Sequence, residues 1–575
     1  MNSVSCHLHR LEIGHVPSDV LLLILSFLHG QDIARCIRVS HGFAALIRSD
    51  LYLQYLIELA QSGMIDGESS ALPVSERLRR LRQYSSNCCG GIFNHESLLH
   101  YSSDSHQYQH HSALKGASLM RPDDVEGSSI LSKRLDPPFG SFLSLVTHGS
   151  AQAGIQSHHE VIPFYIPEDL GRRFSWWAID DAQDLLVISE TSPEGTETDA
   201  PFVGFYSFSG SKTAPRPTTH QEAVRPRLQV GIPSGVEPTA GIHIFKVWVV
   251  QEHVIWATCA IGREARSYSL ELCNWRTGQI ISRQDLGPQQ VYVALLDDSY
   301  LLVTPQSQSK RSLYLDVYSI SPSIHPLYTL QLPDDIDLSP GRAFTSSCRI
   351  VVSQTCPPTP GAHFRADPSL SMVVLTYKIW GTHGELTNHL LVPCTTILAG
   401  IHAAAAPRHA DGDAIDGSEQ PIVPWEDWGA RRCLRLRLRE DDQTLYIPYS
   451  IPFGSRIPVA VYHRIDGFTS ASIYVFDINP LAARHERARA RAARDRASGS
   501  DSTTAVVEDV EEALPGVVDS GCSAIPYVVY HFPIAYAPPD PMGGYPIWWV
   551  EMTVTGFALL IDRVDFDESL QSWTV

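Results

Sequence analysis

Residues 16–46 read VPSDVLLLILSFLHGQDIARCIRVSHGFAAL, and the spacing of their apolar residues predicts a compact run of helices. Ser18 stands where it can cap a first helix behind Pro17. His29-Gly30 marks the end of that helix, and a second helix begins near Asp32. The stretch therefore predicts a small helical module near the start of the chain.

More of this stretch is apolar than one small core can cover. On the first helix one stripe consists of Val20, Ile24 and Phe27, and a neighbouring stripe consists of Leu21, Leu25 and Leu28. The following turns add Ile33, Cys36, Ile37, Phe43, Leu46 and Ile47. Because about forty residues cannot normally bury that much hydrocarbon alone, the pattern predicts a module whose apolar ridge docks into a groove of another protein.

In order and spacing the stretch resembles the F-box motif. The matching residues are Val16-Pro17, Asp19-Val20-Leu21, Ile24-Leu25-Ser26, Leu28, Asp32-Ile33, Val39-Ser40 and Phe43. This resemblance implies a surface that binds the Skp adaptor of a cullin-based (SCF) ubiquitin ligase. By position in the motif, the residues expected to contact the adaptor are Val16, Pro17, Leu21, Ile24, Leu25, Leu28, Ile33 and Val39.

The likeness extends weakly beyond the motif. Leu51 to Tyr84 and Gln183 to Val187 also resemble fungal-type F-box proteins. Within the motif, Val16, Leu25, Ser40 and Phe43 depart mildly from the residues common at those positions. The alternative interpretation is an ordinary helical cap on a larger domain.

Composition describes a soluble globular protein: 575 residues, 43% hydrophobic and 19% charged. A net charge of -19 argues against general binding to nucleic acid or to an anionic membrane. Eleven cysteines without a CxxC pair favour an intracellular location, cytoplasmic or nuclear. Glu12 and Asp19 exclude a signal peptide at Val20 to Leu28, and Glu551 interrupts the other long apolar run, so no membrane span is predicted.

Lysine is scarce. Of 44 basic residues only six are lysines, at positions 115, 133, 212, 246, 310 and 378. Few acceptor amines would protect a ligase receptor from its own ubiquitination, and a preference for arginine in the lineage explains the count equally well.

Residues 1–84 are predicted to form the F-box-like module and its supporting helices. These helices are expected at Leu51 to Ser62, stopped by Gly63, and at Glu76 to Tyr84, capped by Ser75. Residues 85–150 are rich in Ser, His, Gln and Gly and are expected to form a low-complexity connector. It contains His106, His110, His111 and the pair Cys88-Cys89, but without an ordered scaffold no metal site is predicted.

Residues 151–575 are predicted to form a large β-rich body, because the hydrophobic period changes to two. A turn followed by a buried strand recurs at Asp181, Asp297 and Asp441, with weaker copies at Gln251 and Ser346. These Asp residues suit turn chemistry rather than catalysis. Four strands per unit and a spacing of about 40 to 50 residues favour a β-propeller. A large β-sandwich is the alternative, and the WD-repeat family is not supported.

Three segments of the body are predicted insertions, at 201–240, 403–430 and 484–520. The third contains the arginine-rich stretch Arg484 to Arg496, followed by an acidic stretch. A solvated helix or a self-neutralising loop is the preferred interpretation, and a nuclear-targeting signal is the alternative. The fold class is therefore α+β multidomain, with a small helical F-box module followed by a large all-β, propeller-like domain.

No catalytic motif is found: the sequence lacks GxSxG, GxGxxG, HExxH and EF-hand patterns, and no catalytic residue, cofactor or metal is predicted. The favoured function is a non-catalytic substrate receptor of an SCF ubiquitin ligase. Its partners are the Skp adaptor, through it a cullin, and an unknown protein substrate. Two alternatives stay open: an F-box scaffold without a role in degradation, and a hydrolase-like propeller enzyme with an incidental helical cap.

Overall fold

The computed structural model of the chain describes 26 segments. They are residues 16–67, 70–102, 113–115, 118–124, 140–147, 149–156, 158–165, 173–191, 201–213, 218–231, 241–262, 266–305, 313–333, 349–353, 361–381, 384–405, 421–439, 444–446, 450–465, 468–496, 506–507, 517–519, 525–534, 547–553, 556–562 and 567–574. His106, His110 and His111, which the sequence analysis considered for a metal site, lie outside these segments. Among the described residues, no helix is long and apolar enough to cross a membrane, and no cluster of metal-binding side chains occurs.

The described part of the chain contains five helices in the N-terminal region and four more within the β-rich body. They are α1 Ser18–Ser26, α2 Gly30–Cys36, α3 His41–Ser49, α4 Leu51–Ser62, α5 Val74–Gly90, α6 Phe208–Thr213, α7 Cys394–Ala405, α8 Trp425–Trp428 and α9 Pro480–Arg496. Short 3-10 helices lie at Asp181–Gln183 and Pro368–Leu370.

The first helix differs from its prediction at both ends. Ser18 lies inside α1 and does not cap it, because Pro17 occupies the capping position without a side-chain hydrogen bond. The helix ends at Ser26, three residues before the predicted stop. His29 accepts a hydrogen bond from the backbone N–H of Gln31, so it begins α2 instead of ending α1.

The next helices begin and end as their capping chemistry dictates. Ser40 Oγ accepts from the N–H of Phe43 at the start of α3, and Asp50 Oδ1 accepts from the N–H of Leu53 at the start of α4. Gly63 ends α4 in the left-handed region, with φ of 71°, which confirms the predicted stop. α5 was expected from Glu76 to Tyr84 but is twice as long, and Pro73 rather than Ser75 precedes it.

Thirty-four strands are described. The first eighteen are β1 Met64–Asp66, β2 Asn94–Ser102, β3 Ala113–Lys115, β4 Ser118–Asp124, β5 Gly140–Thr147, β6 His158–Tyr165, β7 Arg173–Asp180, β8 Leu185–Thr191, β9 Phe202–Ser207, β10 Arg227–Gln229, β11 Ile242–Val250, β12 His253–Ile261, β13 Arg266–Asn274, β14 Gln279–Gly287, β15 Val291–Leu295, β16 Tyr300–Pro305, β17 Tyr314–Ser319 and β18 His325–Gln331.

The remaining strands belong to the second half of the body. They are β19 Arg349–Val352, β20 Phe364–Ala366, β21 Met372–Gly381, β22 Gly384–Pro393, β23 Ile422–Val423, β24 Leu434–Arg439, β25 Thr444–Tyr446, β26 Ser450–Ile451, β27 Arg456–Ile465, β28 Phe468–Asp477, β29 Val506–Val507, β30 Val517–Asp519, β31 Val528–Ile534, β32 Ile547–Thr553, β33 Gly556–Asp562 and β34 Asp567–Thr574.

Within the described residues these strands form seven sheets of four or five strands, besides the pair β1–β20. Sheet 1 is β3 to β6, sheet 2 is β7 to β10, sheet 3 is β11 to β14, and sheet 4 is β15 to β18 with β23. Sheet 5 is β19, β21, β22, β24 and β30; sheet 6 is β25, β27, β28, β31 and β29; sheet 7 is β26, β32, β33, β34 and β2. Each sheet is built around consecutive antiparallel strands.

Apolar clusters fill the space between successive sheets from sheet 2 to sheet 7. In β12, Val254 and Trp256 pack toward sheet 2, whereas Ile255 and Ala257 pack toward sheet 4. Because both faces of sheet 3 are buried, β12 is a nearly continuous apolar run. This stacking is that of a propeller-like body, and the β-sandwich alternative is wrong because a sandwich has only two sheets.

The predicted connector at 85–150 is wrong where the structure describes it. Residues 85–90 continue α5, and β2 pairs antiparallel along its length with β34, the last strand. Strands β3, β4 and β5 form most of sheet 1. The β2–β34 pairing joins the two ends of the body and covers an edge that would otherwise be exposed.

The repeat and the insertions need smaller corrections. At Asp181, Gln251 and Asp297 the turn leads into the second strand of its sheet. Ser346 and Asp441 lie outside the described residues, and the next strands that the structure describes are β19 and β25. Asp297 Oδ1 accepts from the N–H of Ser299 at 2.8 Å, which confirms its turn role. The segment 201–240 contains β9, α6 and β10, so it completes sheet 2 rather than interrupting it. The segments 403–430 and 484–520 contribute α8 with β23, and most of α9 with β29 and β30.

Candidate protein-docking surface

Helix α1 presents an apolar face to solvent. Its exposed side chains are Val20, Leu23 and Ile24, and Phe27 follows directly after its last residue; we call these four the apolar ridge. Their spacing of three and four residues places them on one face of a helix. Ile24 is 52% exposed and Phe27 is 82% exposed. A contiguous row of large exposed apolar side chains is typical of a protein-interaction surface.

The opposite side of α1 packs on the core of the module. That core consists of Leu25, Ile33, Ile47 and Leu53, with the partly buried Leu22, Leu28, Cys36, Ile37, Phe43, Leu46, Leu56 and Ile57 around it. The ridge therefore rests on a packed support, and its exposure does not arise from a poorly formed helix.

The structure separates the eight predicted contact residues into three groups by exposure. Pro17, Ile24 and Val39 are exposed, and Val16, Leu21 and Leu28 are partly buried. Leu25 and Ile33 are 3% and 0% exposed, so in this structure they support the surface from beneath, and their contact with the adaptor stays a prediction. Burial on the inner stripe follows from helix geometry, because one face of α1 must cover the core.

Three ridge residues, Val20, Leu23 and Phe27, were missing from the predicted contacts. Leu23 was assigned to no stripe, whereas Val20 and Phe27 were placed on the stripe of Ile24 but not named as contacts. The signal that identifies all three is their helical spacing, since Leu23 and Phe27 lie at i+3 and i+7 from Val20.

A close helix crossing holds the module together. At Gly30 an added Cβ would lie 2.2 Å from the carbonyl oxygen of Leu56 and 2.7 Å from Cβ of Ala60. Both neighbours belong to α4, and one of them is backbone, so it cannot move aside cheaply. Only glycine lets α2 approach α4 this closely.

We expect Gly30→Ala to destabilise the protein by about 1 to 3 kcal/mol, the usual cost of overpacking. Gly42→Ala is the matched control, because the nearest atom to its added Cβ is Ser40 Oγ at 3.7 Å. Urea unfolding of the full chain measures both. Equal stability of the two variants would contradict the close packing of α2 on α4.

The end of α4 lies against the β-rich body. Asn479 Nδ2 donates to the carbonyl oxygens of Ala60 at 2.8 Å and Gln61 at 3.2 Å, and Arg456 Nη2 donates to the carbonyl of Ser62 at 3.2 Å. These are carbonyls that a helix end leaves without intrahelical partners. The body therefore supplies the C-terminal cap of a helix that belongs to the module.

A buried ion pair fixes this cap. Arg456 Nε donates to Asp477 Oδ2 at 3.0 Å, and the two side chains are 9% and 0% exposed. Asp477 Oδ1 also accepts from Ser455 Oγ at 2.7 Å and from the N–H of Asn479 at 2.9 Å. We call Arg456, Asp477 and Asn479, with their partners on α4, the junction. A buried pair is stable only when such additional hydrogen bonds satisfy it.

Helix α5 completes the junction from the other side. Arg456 Nη1 lies 3.4 Å from the hydroxyl of Tyr84 and 3.6 Å from Sγ of Cys88. Burial raises the pKa of Tyr84 and the pKa of Cys88, so both groups stay neutral at physiological pH. Of the four side chains Arg456, Asp477, Tyr84 and Cys88, only Arg456 and Asp477 are therefore charged.

Backbone pairing adds a second attachment. Strand β1, directly after α4, pairs antiparallel with β20 of the body, with Met64 opposite Ala366. The rings of Tyr84 and Phe364 pack edge to face, with centroids 5.2 Å apart. At the tip of α2, His29 Nε2 lies 3.4 Å from Asp367 Oδ2. Strand pairing, ring packing and the junction together hold the module in one orientation on sheets 6 and 7.

Comparison with known proteins identifies the helical module. Residues 13–57 match the family model F-box-like. A search of the curated proteins gave no match.

Solved structures similar to the chain belong to several kinds of protein. Hydrazine synthase of Kuenenia stuttgartiensis has 10% identity and a TM-score of 0.33, over 75% of this chain and 91% of its own. Semaphorin 2a of Drosophila has 8% identity and a TM-score of 0.31, over 69% and 67%. Puromycin hydrolase has 10% identity and a TM-score of 0.28, over 65% and 59%. At these scores none of them bears on the activity of this chain.

The matched range includes α1, α2, α3 and the first half of α4, and so it contains the whole apolar ridge. The chain therefore carries an F-box-like domain at residues 13–57, followed by a large β-sheet-rich, propeller-like body.

Proposed function

We propose that the chain is a non-catalytic substrate receptor of an SCF ubiquitin ligase. F-box domains bind the Skp adaptor of these complexes. The observation that carries the proposal is the apolar ridge: within an F-box-like domain, four large apolar side chains of α1 lie in solvent on a packed support. Docking of the ridge against the adaptor, and through it against a cullin, would bury this surface.

The junction suggests what the receptor contributes to ubiquitin transfer. Because the end of α4 is capped by Arg456 and Asn479, the F-box-like domain has a fixed orientation relative to the body. A protein held by the body would then stand at a set distance and angle from the ubiquitin-charged subunit. Proximity and orientation of this kind accelerate a reaction without any catalytic group on the receptor.

The proposal is tested by comparing ubiquitinated proteins in cells that lack the chain and in cells that regain it. We expect a set of proteins to lose ubiquitination on deletion and to recover it with the wild-type chain but not with Ile24→Asp. Val224→Asp is the matched control, since Val224 is an exposed side chain on a loop of the body. An unchanged pattern would favour the scaffold alternative.

A further inference from the structure

One histidine connects the helical module, the β-rich body and a loop of sheet 1. His363 lies directly before β20, and its carbonyl oxygen accepts from the N–H of Gly67, directly after β1, at 3.0 Å. The N–H of His363 donates to the carbonyl oxygen of Ala153 at 2.8 Å. Ala153 belongs to residues 149–156, between β5 and β6, which we call the sheet 1 loop. The backbone of His363 therefore holds its ring where the module, the body and this loop meet.

The ring of His363 has a polar partner at each nitrogen. Arg80 Nη1, on α5, lies 3.3 Å from Nε2, and Ser70 Oγ lies 3.1 Å from Nδ1. A guanidinium group only donates hydrogen bonds, so Nε2 accepts from Arg80. The ring proton therefore lies on Nδ1 and is donated to Ser70. This arrangement requires a neutral imidazole, because an imidazolium has no free acceptor.

Arg80 and His363 hold the sheet 1 loop together. Arg80 Nη1 also donates to the carbonyl oxygen of Ala151 in this loop at 2.8 Å. The ring of His363 lies against the same loop, since at Gly154, with φ of 72°, an added Cβ would be 2.6 Å from Nε2. Loss of the contact between Arg80 and His363 would therefore loosen the attachment of the loop to α5.

The groups around the ring favour its neutral form. Glu76 Oε1 is already bonded to Arg80 Nε at 2.9 Å, and Asp66 is bonded to Arg77. Burial and the charges of Arg80 and Arg77 lower the pKa of His363, and Glu76 opposes them only in part. Residues 149–156 contain no titratable side chain. The titratable groups on the other surrounding elements are Tyr55 on α4, Glu76, Arg77 and Arg80 on α5, Asp66 on β1, and Arg365 and Asp367 on the segment of His363 itself.

We propose that His363 is a pH-sensitive latch between α5 and the sheet 1 loop, closed while its imidazole is neutral and opened when the ring is protonated. An added proton on Nε2 would face the guanidinium of Arg80, and two cations at this distance repel each other. The stabilisation by the neutral ring is complete above the pKa of an unfolded histidine, about 6.5, and is lost as the pH falls below it. The latch is independent of the proposed ligase role.

The test is hydrogen exchange of the isolated full-length chain, measured by mass spectrometry at about pH 7.5 and about pH 5.5, where a histidine titrates. After correction for the intrinsic exchange rate, we expect the protection of residues 149–156 to fall about threefold or more at the lower pH. Strand β16 contains no group that titrates in this range, so its protection should stay the same. Equal protection of the sheet 1 loop at both pH values in the wild-type chain would overturn the proposal.

His363→Gln separates the latch from other effects of acid. The amide of glutamine keeps an acceptor for Arg80 and a donor for Ser70 but does not titrate, so the loop should be equally protected at both pH values. His41→Gln is the matched control, because His41 is an exposed residue of α3 and its loss should leave the wild-type response unchanged.

A neighbouring histidine contact responds to acid in the opposite direction. His29 Nε2 lies 3.4 Å from Asp367 Oδ2, and protonation of His29 would strengthen this contact, so it does not account for a loss of protection. Thermal unfolding at about pH 7.5 checks that each variant is folded. A folded His363→Gln chain whose loop lost protection at the lower pH as the wild-type loop does would also overturn the proposal.

Discussion

Ile24→Asp is expected to weaken binding of the full chain to purified Skp adaptor by about 100-fold or more. Ile24 lies in the middle of the apolar ridge and is 52% exposed in the free chain, so the carboxylate costs little while α1 faces water. On docking, the same carboxylate would be buried against an apolar groove without a partner, which is unfavourable by several kcal/mol. Affinity measured by surface capture of the adaptor gives the ratio.

Two controls separate loss of docking from loss of folding. Val224→Asp places the same charge at an exposed apolar position of the body and should bind the adaptor like wild type. Leu25→Asp places it in the core of the module and should lower stability as well as binding, because Leu25 is 3% exposed. If Ile24→Asp were folded and bound with wild-type affinity, the ridge would not be the docking surface.

Arg456→Met is expected to destabilise the protein by about 3 to 5 kcal/mol, the cost of leaving one member of a buried ion pair without its partner. The substitution leaves the carboxylate of Asp477 buried without a cation. It also removes the hydrogen-bond donor to the carbonyl of Ser62 at the end of α4. Urea unfolding, followed by far-UV circular dichroism, measures the change in the free energy of unfolding.

The double variant Arg456→Met with Asp477→Asn shows whether the charge is the cause. It should be less destabilised than the sum of the two single variants, because no unpaired charge remains. Arg276→Met is the control at an exposed pair, 47% and 55% exposed, and should change stability by less than about 1 kcal/mol. If Arg456→Met lowered the free energy of unfolding by less than about 1 kcal/mol, the claim that the junction stabilises the protein would be contradicted.

Sequence patterns predicted the module well where local chemistry decides the outcome. Gly63 ends α4 as expected, because a left-handed residue after an amphipathic helix is a local signal. The ends of the first helix were predicted less accurately: Ser18 lies inside α1, and His29 begins α2 instead of ending α1. Leu25 and Ile33 were assigned to the surface because motif position does not distinguish a contact from its support.

The body shows the same division between local and distant signals. The buried strands predicted after the turns at Asp181 and Asp297 are present as β8 and β16, since the turn residue and the apolar run lie in the segment itself. The connector prediction failed because the partner of β2 is β34, more than 450 residues away in sequence, and pairing over that distance leaves no local pattern.

The junction was not predicted at all. Arg456 opens β27 and Asp477 closes β28, and the two stand directly opposite in that hairpin. The hairpin pattern in the sequence is enough to predict that Arg456 and Asp477 lie opposite each other. What the sequence does not indicate is that α4 and α5 cover the pair and that its hydrogen bonds end a helix of the module.

The most direct test of the central claim is a calorimetric titration of the wild-type full chain with purified Skp adaptor at several temperatures. We expect saturable one-to-one binding, with a heat that becomes more negative on warming, because burial of the apolar ridge gives a negative heat-capacity change. A folded wild-type chain that gives no saturable binding would contradict the claim that the ridge docks the adaptor.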